Sequence, residues 1–202
     1  MFPSLTTYEM QLVTDPQVLV TKNSIIKKVY EIFGELAEKY KKEISNKIPD
    51  SKTWINPKIS KGENYKGLPY VILDFPRQFN KIDIFAIRSF FWWGNFFSIT
   101  LQLAGRYHQQ YTTAIKNAID LGFYEEWYIG LLENQWEHHF ESNNYSSLSR
   151  GINYDIAKLP YLKLAKKIPL NKWDETNTFF IKNFTLLAET LGSMHQFYEK
   201  GL

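Results

Sequence analysis

Residues 68–105 read LPYVILDFPRQFNKIDIFAIRSFFWWGNFFSITLQLAG, and the fold is decided there. Leu68–Phe75 is a run of branched and aromatic residues ended by Pro76, which predicts a strand. Ile84–Trp93 and Phe96–Leu103 are two further runs separated by Gly94-Asn95. Glycine at the first of two turn positions is the pattern of a type II′ hairpin connection. That turn predicts a hairpin over about 84–103 in which Trp93 faces Phe96 and Arg88 faces Leu101. One face would then carry Ile84, Ala86, Arg88, Phe90 and Trp92 with Phe97, Ile99, Leu101 and Leu103. The other would carry Phe85, Ile87, Ser89, Phe91 and Trp93 with Phe96, Ser98, Thr100 and Gln102. The first face is the expected core, with a single arginine in it.

Helical signals flank the hairpin on both sides. Asp15-Pro16 has the form of a cap followed by proline at the first helical position. Ile25, Ile26, Val29, Ile32, Phe33, Leu36, Ala37, Tyr40 and Ile44 then recur at helical spacing, opposite lysines and glutamates. Pro49-Asp50-Ser51 is the expected end of that helix. Residues 1–14 are expected to be an extended or irregular lead, and residues 53–67 short extended pieces joined by a polar loop. His108–Leu121 predicts a helix closed by Gly122. Residues 123–141, FYEEWYIGLLENQWEHHFE, carry mixed signals. A helix would align Tyr128, Leu132, Trp136 and His139. Gly130 and the Trp127-Tyr128-Ile129 run favour strands, expected at 126–133 and near 135–140. Turns and a loop are expected over 143–151, a last strand at 161–168 and a C-terminal helix from about 175 to 199, capped by Asp174. With helices at both ends of a largely antiparallel sheet, the expectation is one α+β domain over residues 1–202.

Composition excludes several kinds of chemistry. The 202 residues contain no cysteine, so disulfides, thiolate nucleophiles and cysteine zinc sites are ruled out. The net charge is only +3, and the excess is lysine, because the arginines number four: Arg77, Arg88, Arg106 and Arg150. Nucleic-acid recognition leans on arginine forks, so it is not expected. There is no basic start with an apolar run behind it, and no apolar stretch near the roughly 20 residues that span a bilayer. A soluble, cytoplasmic protein is the expectation, with no membrane partner. Phosphate-loop, dinucleotide, H-E-x-x-H and G-x-S-x-G motifs are all missing.

Three groups of residues could carry a function. Arg88 on an apolar strand face must reach water or find a partner, since an unpaired buried charge is costly. Asp74 on the neighbouring strand is the expected partner. An Arg88–Asp74 pair is either structural or part of a small-anion site walled by Trp92, with Arg77 as a further cation. The second group is Glu137, His138 and His139, which could serve general acid–base catalysis in a hydrolase. Their spacing suits no metal, because adjacent histidines diverge on either a strand or a helix. The third is the aromatic hairpin tip, Phe90 to Phe97, a candidate homodimer contact. The leading expectation is a non-enzymatic domain that binds a small anion or a protein near Arg88 and Trp92, with the hydrolase as the alternative.

Overall fold

The computed structural model describes residues 2–45, 47, 56–150 and 155–199, with the side chains of 150 and 194–199 excepted. Its centre is a seven-stranded sheet with every pairing antiparallel. The strands are β1 (Lys58–Tyr65), β2 (Leu68–Phe79), β3 (Ile84–Trp92), β4 (Phe96–Ala104), β5 (Tyr128–Gly130), β6 (Tyr145–Ser147) and β7 (Tyr161–Pro169). Their spatial order is β1-β2-β3-β4-β7-β5-β6. The helices are α1 (Thr7–Thr14), α2 (Pro16–Ser45), α3 (Arg106–Asp120) and α4 (Thr176–Glu199). The α+β architecture, the central hairpin and the terminal helices are therefore as the sequence predicts.

The helices cover one face of the sheet. Val29, Phe33, Leu36 and Tyr40 of α2 and Phe180, Phe184, Leu187 and Leu191 of α4 are all buried against it. Tyr40 stacks on Phe184 with ring centroids 3.7 Å apart, and its hydroxyl lies 3.1 Å from Ser89 Oγ. Phe180 meets Phe33 and Phe97 edge-on, and Tyr111 of α3 meets Phe85. Every residue of β4 is buried, because β4 lies mid-sheet with helices on one side and other chain on the other.

The hairpin register departs from expectation by one residue, and much follows from this. Trp92 pairs with Phe96 and Arg88 with Thr100, so three residues, Trp93-Gly94-Asn95, make the turn instead of two. The Asn95 amide donates to the Trp92 carbonyl at 3.1 Å, and Gly94 sits at the third position of that turn with φ 70°. A positive φ is cheap only for glycine, so the glycine places itself there instead of at the first position of a two-residue turn. A one-residue slip moves every side chain of one strand to the other face. Phe97, Ile99, Leu101 and Leu103 accordingly join Phe85, Ile87 and Phe91 under the helices. Ser98, Thr100 and Gln102 join Arg88 on the opposite face.

Other departures have local causes. Residues 7–14 form α1, started by an N-terminal capping box in which Thr6 and Glu9 bond reciprocally. α2 is one unbroken helix of 30 residues from Pro16, the first helical position that the Asp15-Pro16 signal predicts. The end expected at Pro49-Asp50-Ser51 lies outside the described residues. The polar stretch 58–65 is a strand after all: as an outer strand paired only with β2, it needs no apolar face. β2 runs past Pro76 through an irregularity between Asp74 and Arg77, across a cis Phe75-Pro76 peptide. Of the strands expected between 126 and 140, three residues of β5 pair; the rest crosses the sheet without regular structure, and the partner strand comes later, at 145–147. Asp174 lies inside a 3-10 turn at Leu170–Glu175 that leads into α4.

Candidate functional site

The face of the sheet opposite the helices is polar at its centre and aromatic at one end. Pairing aligns Asp74, Arg88, Thr100 and Ala165 across four strands, with Gln102 and Lys163 beside them. Toward the hairpin tip the same face carries Ile72, Phe90, Trp92 and Phe96, joined by Tyr65, Leu68, Tyr70 and Phe140. Residues 131–144 run over this face as a strap between β5 and β6.

Arg88 is the hub. Its Nε and Nη2 donate to Asp74 Oδ1 and Oδ2 at 2.7 and 3.0 Å, a two-pronged carboxylate contact. The pair expected from sequence is thus formed, with both side chains about 10% exposed. Arg88 Nη1 lies 2.9 Å from His138 Nε2, so that imidazole nitrogen accepts and is unprotonated. Burial, then the Arg88 charge, holds the His138 pKa well below the ordinary histidine range. The Trp136 ring lies 5.7 Å from the guanidinium carbon.

Lys163 is the residue that sequence inspection passes over. It lies in an unremarked strand, YLKLAKKIP, and is fully buried. Its ammonium donates to the backbone carbonyl of Gln135 at 2.8 Å and to that of Glu137. Burial, with the Arg88 charge adding to it, brings its pKa down to about 7, while Glu137 pulls the other way. A polar residue amid alternating apolar ones is a detectable signal, but Lys166 and Lys167 in the same strand mask it.

The strap is held by side chains instead of a backbone ladder. The Tyr65 hydroxyl accepts from the amides of His138 and His139 at 2.7 and 3.0 Å and donates to Glu137 Oε2 at 3.0 Å. Burial pushes its pKa up to about 12. Gln102 Nε2 donates to Gln135 Oε1 at 2.8 Å, Tyr161 donates to the Leu132 carbonyl, and Asn144 Nδ2 donates to the His139 carbonyl. Phe140 stacks on Tyr145 at 4.6 Å, and the Tyr145 hydroxyl is bonded to Thr100.

The expected groups come together only in part. His138 joins Arg88 and Asp74. His139 is also buried, but it faces Glu137 and Glu141, 3.6 and 3.3 Å away. The closer contact is poorly directed, and His139 Nδ1 is left without a hydrogen bond. Trp92 is buried four residues along β3 from Arg88, with its indole N–H given to the Tyr65 carbonyl at 3.2 Å. Arg77 stays apart, donating from Nε to the Asn56 carbonyl at 3.2 Å. The hairpin tip's Phe90, Phe91, Trp92, Phe96 and Phe97 are all buried within the chain, which leaves little of them for a second molecule. Two surface clefts of about 640 and 700 Å³, lined in common by Glu125, Glu126 and Lys166, do not reach Arg88. Among the described residues no cluster of His, Asp and Glu could hold a metal, and no helix is long and apolar enough to cross a membrane. Comparison with protein-family models, with curated proteins and with solved structures returned no match.

Proposed function

We propose that this chain is a non-enzymatic binding protein that holds a small anion on the strap-covered face of its sheet, between Arg88 and Lys163. One observation carries this reading. Asp74 is the sole acid among the buried described residues, and it shares its face with two cations, Arg88 and Lys163. Beyond burial, the Arg88 charge disfavours a charged Lys163, and the part-buried Glu137 offsets this only from the strap. An anion between the two would relieve that repulsion, and the aromatic wall of Tyr65, Phe90 and Trp92 excludes water, which strengthens the attraction. The strap's tethers are single side chains, so it is the element that opens for entry. Binding is favoured over hydrolysis because the His138 lone pair that a general base would use is engaged by Arg88.

Thermal unfolding with millimolar phosphate, sulfate, acetate or citrate tests the proposal. At least one should raise the melting temperature, and Lys163→Met should abolish the rise. An anion beside Lys163 raises its pKa, so binding above pH 7 takes up a proton, and affinity falls as pH increases from 7 to 9. No stabilisation by any of the four, or stabilisation that survives Lys163→Met, would refute it.

A further inference from the structure

The first twenty residues carry a surface that the rest of the molecule does not use. Among the described residues, nine of the fifteen exposed large apolar side chains lie in this stretch, Phe2, Tyr8, Leu12, Val13, Leu19 and Val20 among them. α1 has no buried residue at all, and burial on α2 begins only at Ile26. α1 and the first turns of α2 therefore form an arm standing clear of the sheet. An eight-residue helix with nothing packed on it is marginal in water, since short helices draw their stability from tertiary contact. Exposed apolar area of this extent marks an interaction surface.

We infer that this arm is the contact through which two copies of the chain form a homodimer. The extent of the surface supports a second copy. Its nine side chains, spread around the helices at about 100° per residue, together present on the order of 900 Å² to solvent, so a second copy that wraps most of the arm would approach the roughly 800 Å² per partner of a standard interface. The charge pattern supports it as well. Between Phe2 and Thr21 the only charged residues are Glu9 and Asp15, and Glu9 is tied into the Thr6 capping box. A nearly uncharged surface meets its own copy without like-charge repulsion, and a two-fold pairing of identical patches is the commonest oligomer geometry. It carries no basic residues to draw it to an anionic lipid surface. The dimer contact expected at the aromatic hairpin is thereby moved to the other end of the chain, because the hairpin's apolar area is spent inside the monomer.

Light scattering coupled to size-exclusion chromatography of the full chain tests this. The wild type should run at twice the 23.9 kDa chain mass at about 100 µM, with a melting temperature that rises with protein concentration. The double variant Leu12→Glu/Leu19→Glu should run at the chain mass and keep the far-ultraviolet circular dichroism of a folded protein, because both positions are exposed. Ile82→Glu, at an exposed loop position, should remain dimeric. A monomeric wild type, including one that is captured by phosphatidylcholine vesicles, would overturn the inference. So would a double variant that stays dimeric, or dissociation by Ile82→Glu.

Discussion

Arg88 and Asp74 show how one local rule reaches a correct pairing. A guanidinium on a buried strand face costs several kcal/mol unless paired, and the nearest acid on the adjacent strand meets it with two hydrogen bonds. Removing one partner leaves the other charge buried and alone. Arg88→Met and Asp74→Leu should each lower unfolding free energy by about 3–5 kcal/mol, and the double variant should recover most of the loss. Urea denaturation of the four proteins measures this; additive losses would show that the two groups are not coupled. Lys163 makes a different prediction. Its folded pKa of about 7 lies below the ordinary lysine value, so the unfolded chain binds the extra proton between pH 7 and about 10.4. Stability from this residue should therefore rise as pH increases through that window and be flat below it. The gain is on the order of 3–5 kcal/mol, and Lys163→Met should remove the slope. His138 acts below that range: its depressed pKa costs stability as pH falls beneath about 6.5, where only the unfolded imidazole takes the proton.

At the scale of elements, the strap and the hairpin turn matter most. The strap's backbone is anchored by the side chains of Tyr65, Lys163 and Asn144, and none of these contacts is part of a ladder of backbone bonds. Tyr65→Phe leaves two part-buried amides without their acceptor, a cost of about 1–3 kcal/mol. The His138 and His139 amides should then lose hydrogen-exchange protection while β3 and β4 keep theirs. Equal loss across the strands would mean that the strap is not a separately opening unit. The hairpin shows where local reading stops. Both strands were legible from their branched and aromatic residues, and so was the glycine turn, but a two-residue and a three-residue turn share the same Trp-Gly-Asn letters. The difference of one residue decides whether Thr100 or Leu101 stands opposite Arg88. The polar character of the candidate site depends on that choice.

For the whole molecule, the division of labour between the two sheet faces is the main result. One face is apolar under α2, α3 and α4; the other is polar and aromatic under the strap. Phe97, with no exposed surface, joins the sheet to α4 and to Trp173, so its loss should be felt globally. Phe97→Ala should cost about 3–5 kcal/mol and shift a single cooperative unfolding transition, checked by calorimetry. A second transition appearing with the first undisturbed would show that α4 and the sheet unfold separately. The amino-acid sequence by itself determined the α+β class, most strands and helices, and the need of Arg88 for a carboxylate, because periodicity and the cost of a buried charge act over short stretches of chain. Only the tertiary structure decided which face Thr100 and Gln102 occupy, that Lys163 enters the site, and that Tyr65 holds a strap more than 70 residues further along the chain. Those outcomes rest on the parity of a turn and on contacts between distant segments, for which neighbouring residues carry no signal.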